Sequence, residues 1–144
     1  MLLFFRPLIR ITHALFSASP KKPSGGVSIT GDCSKFNATL SWTAAEAVGA
    51  AVKFYIVEYA TYESNEMNKW FKYNRENPKI MAPTTSVQLT RTLLPANADL
   101  QFRVRAGTVS EGEDLIGEPS DPSDYGECET PAGGKMDSMN NRGI

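Results

Sequence analysis

The 144-residue chain holds a single histidine, His13. A serine or cysteine nucleophile needs a base to take its proton, so no Ser-His-Asp or Cys-His arrangement can be assembled without that residue. Cys33 and Cys128 have no cysteine or histidine beside them at metal-ligand spacing, which argues against zinc. No glycine-rich loop follows a strand and opens a helix, so a phosphate cradle is not indicated. Carboxylates do gather, at Glu111, Glu113, Asp114, Glu118, Asp121, Asp124, Glu127 and Glu129, with no Lys or Arg from Ala106 to Gly134. Solvated surface is the ordinary explanation of such a run, and EF-hand spacing is absent. The sequence therefore gives no reason to expect an enzyme, a catalytic residue, a metal or a cofactor.

The composition bounds the partner. With 15 basic and 16 acidic residues the net charge is −1, so nucleic acid is not an expected partner. The length suits one ordinary domain. Two cysteines suit a disulfide, and equally two buried thiols in a cytosolic protein. Asn37-Ala38-Thr39 is an N-glycosylation sequon. Residues 1–22 read as a leader or linker. Leu2 to Phe5 and the small residues Ser17-Ala18-Ser19 suggest a signal peptide, but Arg6, Pro7 and Arg10 interrupt its apolar run, so a non-native leader is the alternative. No run approaches the roughly 18 apolar residues of a membrane span, so an anchor would lie outside this chain.

The elements that must position any site are strands. Val27 to Cys33 alternates, and so does Phe36 to Thr43, with Ala38, Leu40 and Trp42 on one face and Asn37 on the other. Ala44 to Ala51 is a loop. Val52 to Tyr62 is rich in β-branched and aromatic residues, with Tyr55, Val57 and Tyr59 on one face. Glu63 to Asn68 turns the chain, Lys69 to Tyr73 is a fourth strand carrying Trp70, and Asn74 to Pro83 is a loop. Thr84 to Arg91 points Val87 and Leu89 inward. Leu93 to Ala106 runs from a proline corner into a long strand, with Leu100, Phe102, Val104 and Ala106 inward and Gln101, Arg103 and Arg105 outward. Gly107 to Gly117 reads as an acidic loop, Asp124 to Thr130 as the seventh strand, and residues 132–144 as a flexible tail. Seven short strands without a clear helix predict an all-β, seven-stranded antiparallel β-sandwich. Its expected core is Leu40, Trp42, Tyr55, Val57, Val87, Leu89, Leu100, Phe102 and Val104, with Trp42 at the centre.

These residues resemble a fibronectin type III domain. The resemblance rests on Trp42, on Tyr55-Ile56-Val57-Glu58-Tyr59, on Leu94-Pro95, on Phe102-Arg103-Val104-Arg105-Ala106 and on Gly117-Glu118-Pro119-Ser120. It covers residues 23–131. Gly31-Asp32-Cys33, Lys69-Trp70 and Cys128-Glu129-Thr130-Pro131 are most similar to the first type III domain of the neuroglian/L1 group of neural cell-adhesion molecules. In that group the two cysteines are joined, so the resemblance implies a Cys33–Cys128 disulfide. The family's tyrosine two residues before Phe102 is replaced by Leu100, so the resemblance implies a looser corner.

The resemblance implies an extracellular, non-catalytic spacer and interaction module of a plasma-membrane or secreted adhesion protein, a glycoprotein if Asn37 is modified. Expected partners are other cell-surface or adhesion proteins, a second copy included, and adjacent immunoglobulin or type III domains in a longer parent. A ligand-binding receptor module and an intracellular scaffold domain are the alternatives. Lys53, Lys69, Trp70, Lys72, Arg103 and Arg105, with Arg75, are the candidate interface, a basic sheet face suited to an acidic loop. An ordinary charged face is the plainer reading. Trp70 is expected to be partly buried beside the arginines.

Overall fold

The strict alternation from Leu100 onward makes β7 (Leu100–Ser110) the longest strand, with Leu100, Phe102, Val104 and Ala106 fully buried. Its neighbour β3 (Phe54–Thr61) pairs with it antiparallel over eight residues, from Phe54↔Gly107 to Thr61↔Leu100. In a computed structural model, which describes residues 18–131, these two strands are the middle of a five-stranded sheet. β8 (Glu113–Pro119) borders β7, while β4 (Phe71–Lys72) and β5 (Lys79–Met81) both pair with β3. The second sheet has the order β1 (Val27–Thr30), β2 (Thr39–Trp42), β6 (Ser86–Gln88). All pairings are antiparallel. The two sheets close on one apolar core, which gives an antiparallel β-sandwich with fibronectin type III topology.

Trp42 tilts against Tyr55 across the core, ring centroids 5.4 Å apart. Leu40, Val57, Leu89, Leu100, Phe102 and Val104 are buried around them, and Val87 is half-buried against the cluster. Two tyrosine hydroxyls tie loops to this core. Tyr55 Oη accepts from the Ala45 amide (3.0 Å) and so fixes the Ala44–Ala51 loop. Tyr73 Oη accepts from the Thr90 amide (2.6 Å) and donates to the Gln88 carbonyl (3.2 Å), bridging the sheets.

Several boundaries differ from the sequence expectation. Cys33 is not in a strand. It begins a 3₁₀ turn capped by Asp32, whose carboxylate accepts from the Ser34 amide and hydroxyl. Those hydrogen bonds, side-chain first, lower the Asp32 pKa. The Glu63–Asn68 turn contains a short helix, α1 (Tyr62–Glu66), started by a Thr61–Ser64 capping box. The fourth strand is split. β4 excludes Trp70, and β5 lies inside the stretch expected to be loop. The acidic stretch Gly107–Gly117 is a β-hairpin, the end of β7 and most of β8. Its charges occupy exposed positions of a sheet edge, so the period of two is hard to see in Glu113, Asp114 and Leu115.

The expected seventh strand at Asp124–Thr130 is the largest correction, because that segment forms only one isolated bridge, Asp99↔Glu129. Pro119 and Pro122 carry no amide hydrogen, which ends the regular ladder. The freed amides of β7 find hydroxyls instead. Val104 donates to Ser120 Oγ (3.0 Å) and Phe102 to Ser123 Oγ (2.9 Å), while the two serine amides donate back to the carbonyls of Val104 and Phe102. The segment then continues along β7, with Leu100 N–H donating to Cys128 O (2.9 Å).

The corner without a tyrosine is closed by Thr130. Its hydroxyl accepts from the Ala98 amide (3.0 Å) and donates to the Pro95 carbonyl (2.8 Å). Cys33 and Cys128 are disulfide-bonded, with a Cα separation of 5.2 Å across 95 positions of sequence. The chain also packs before Pro23. Pro20 is buried, and a Cβ on Gly117 would meet its carbonyl oxygen at 2.3 Å.

Closing so long a loop stabilises by roughly 4–5 kcal/mol in the chain-entropy treatment. Reduction is therefore expected to lower the melting temperature by more than about 10 °C in calorimetry, and identical melts with and without reductant would refute this. Thr130→Val, which keeps shape and loses the hydroxyl, is expected to cost about 1–3 kcal/mol in urea titrations.

Candidate functional site

Strand parity puts Phe54, Ile56, Glu58 and Ala60 of β3 on the outer face of the large sheet, opposite Gly107, Arg105, Arg103 and Gln101 of β7. Phe54, Ile56 and Ala60 are buried yet stand outside the core cluster. Lys79 lies over the Phe54 ring, and the cross-strand neighbours of Ile56 and Ala60 are Arg105 and Gln101. Glu58 Oε1 accepts from Arg103 Nε at 2.7 Å and from Arg105 Nε at 3.0 Å. Arg105 also donates to the Gly117 carbonyl (3.0 Å), and the Arg103 guanidinium lies 4.1 Å from the centre of the Trp70 ring. The result is a continuous column, Trp70–Arg103–Glu58–Arg105. A cation over an indole and a carboxylate shared by two guanidiniums are both stronger when partly desolvated, as here.

Toward the β7–β8 hairpin the pattern repeats in weaker form. Lys79 lies 4.6 Å from the centre of the Phe54 ring and pairs with Asp114 at 2.8 Å. The Phe54 ring approaches Gly107, where an added Cβ would meet its Cζ at 2.2 Å. Glycine at 107 is thus required by the close approach of that ring.

The expected interface residues divide. Arg103, Arg105 and Trp70 meet in the column, with Trp70 half-buried. Both arginines share the one Glu58 carboxylate, so the cluster keeps a single net positive charge rather than two. Lys69 and Lys72 are exposed and have no carboxylate partner among the described residues. Arg75 lies near Tyr59, whose phenol pKa is raised by burial and partly offset by that cation. Lys53 does not join the face. It precedes β3 with the parity of Tyr55 and Val57, which point into the core. Glu58 went unassigned in the sequence reading, although its place between inward Val57 and Tyr59, antiparallel to Arg103-Val104-Arg105, was the available signal.

Asn37 is exposed in the loop before β2, not within the strand. Its Oδ1 accepts from the Asp32 amide (2.8 Å). Among the described residues no group of three or more His, Cys, Asp or Glu could hold a metal ion, and no helix is long and apolar enough to cross a membrane. A recess of about 640 Å³ is lined by Pro20, Ala44, Glu118, the Lys21–Glu46 ion pair and the serines Ser19 and Ser24.

The architecture so described is the fibronectin type III sandwich. No family model matches the sequence, and no curated protein matches it. A solved structure does: the FN1–FN3 domains of chicken contactin-1, with a TM-score of 0.61 and 23% identity. The match covers 79% of this chain and 34% of that one, so this chain spans about a third of the structure it resembles. At that identity the likeness is one of fold.

Removing the shared carboxylate leaves two half-buried guanidiniums facing each other. Glu58→Gln is expected to cost about 1–3 kcal/mol in urea unfolding, and Trp70→Ala about 0.5–1 kcal/mol. A neutral Glu58→Gln would show that the column is ordinary solvated surface.

Proposed function

We propose that this chain is a non-catalytic spacer and interaction module of an extracellular cell-adhesion protein of the neuroglian/L1 type, with residues 23–131 as the type III domain and further immunoglobulin or type III domains beside it in the parent. The single observation that carries this reading is the Cys33–Cys128 disulfide, which joins the 3₁₀ turn before β2 to the segment leaving the domain. Structural disulfides persist where the surroundings are oxidising, outside the cytosol. The exposed sequon at Asn37 and the likeness to tandem type III domains support the same reading. The role is geometric. The tied sandwich presents the outer face of the large sheet to a partner, another adhesion protein or a second copy.

The test is export. Expressed behind a secretory leader in animal cells, the chain is expected to carry no titratable thiol under denaturing conditions and to lose one glycan's mass on glycosidase treatment or in Asn37→Gln. Two free thiols and an unmodified Asn37 in the exported protein would overturn the reading in favour of a reduced, intracellular domain.

A further inference from the structure

Resting on the extracellular reading, we propose that a neutral oligosaccharide carried by Asn37 lies across the outer face of the small sheet and shields its two uncharged edges. Strand register defines that face. Val27, Ile29, Leu40, Trp42 and Val87 turn toward the core, so the residues between them face outward. They form two rows across the three strands, Ser28–Ser41–Ser86 and Thr30–Thr39–Gln88. Each of the six is neutral and carries a hydroxyl or an amide. None of the six side chains bonds to another protein group among the described residues. The edge strands of the large sheet carry charge: Lys72 in β4, Lys79 in β5, and Glu113, Asp114 and Glu118 in β8. β1 and β6, the edges of the small sheet, carry none. A bare strand edge is a template for pairing with another chain, and charge is its common protection. The small sheet needs another cover.

Asn37 is placed to supply it. It is exposed and has the parity of Thr39 and Ser41, and the pairing with the β6 side reaches its neighbour Ala38, whose carbonyl accepts from the Leu89 amide (2.9 Å). β2 is the middle strand, so sugars that start at Asn37 have an edge on either side. The Asn37 amide plane is fixed from within the turn. Its Oδ1 accepts from the Asp32 amide (2.8 Å), while the Lys35 and Asn37 amides donate to the Asp32 carbonyl (3.1 and 3.3 Å). Gly31, at φ +89, lies so close that an added Cβ would meet the Asn37 carbonyl oxygen at 2.6 Å. Asn37 Nδ2 has no partner among the described residues. N-glycosylation uses that nitrogen and leaves Oδ1 an acceptor, so the turn keeps its hydrogen bond and holds the first sugar in one direction. Three strands about 4.8 Å apart span roughly 10 Å, within reach of a few sugar rings. Sugars meet this face through hydrogen bonds to its hydroxyls and amides, direct or by way of water. No charge has to be stripped of water, the cost that opposes such a contact on the large sheet. The linkage presents the sugar at roughly millimolar effective concentration, so individually weak bonds suffice.

Two samples of the same full chain test this. One is secreted from animal cells with Asn37 glycosylated; the other is made in the oxidising bacterial periplasm and keeps Asn37 bare. In NMR spectra of the secreted form, sugar protons are expected to show through-space contacts to the methyl groups of Thr30 and Thr39. In sedimentation velocity the secreted form is expected to stay free of aggregates as it is concentrated, and the bare form to lose soluble protein to them. Ser28→Lys and Ser86→Lys together, which place charge on both edges, are expected to reverse that loss in the bare form, with folding checked by circular dichroism. Sugar protons without contact to the small sheet, a bare chain as soluble as the glycosylated one, or aggregation unrelieved by the two lysines would each overturn the proposal. Those results in a secreted chain that is disulfide-bonded and glycosylated leave the extracellular module standing. A secreted chain with the disulfide and a bare Asn37 removes the proposal alone, whereas free thiols with a bare Asn37 remove both.

Discussion

The tie between Cys33 and Cys128 is the constraint on which the rest of the molecule depends. At Pro119 and Pro122 the regular ladder is interrupted, yet the chain must still cover the edge of β7. It does so with borrowed groups: two serine hydroxyls, a few backbone bonds and the hydroxyl of Thr130. Each is worth about 1 kcal/mol net, little against the entropy of ordering a dozen residues. A covalent link at Cys128 removes much of that entropic opposition, because the unfolded chain is already closed on itself. Under β7, Leu100, Phe102 and Val104 are wholly covered.

On the other side of the large sheet a different solution operates. Phe54, Ile56 and Ala60 face outward but are not exposed: Lys79 lies over the Phe54 ring, and Arg105 and Gln101 are the cross-strand neighbours of Ile56 and Ala60. Long cationic side chains bury their hydrocarbon while keeping their heads hydrated or paired. The centre of the outer face is therefore an ion cluster of two arginines on one glutamate, with one net positive charge.

Much of this was legible in the residues. The alternation in Leu100 to Ala106 and in Tyr55 to Tyr59 was enough to place the two central strands and their inward residues, because one apolar and one charged face leave a single register. The disulfide came from likeness to a known pattern, since spacing alone left free thiols open. The hairpin at Gly107–Gly117 was hidden by its charges: an edge strand with one exposed face and polar residues along it has almost no apolar signature. The tail was misread for the opposite reason. Tyr125 and Cys128 gave it strand-like composition, but Pro119 and Pro122 upstream had already broken the ladder. The candidate site was only half visible, because a count of arginines shows charge and not whether a single glutamate has taken it.

Amide hydrogen exchange, read residue by residue in oxidised and reduced protein, tests the central claim most directly. The amides of Leu100 and Thr130, which bond along the tail, are expected to be protected in the oxidised chain and to lose that protection first on reduction, before those of Tyr55 and Val57 at the β3–β7 pairing. Equal protection in both redox states would contradict the account, because the tail would then hold its place without the sulfur bridge.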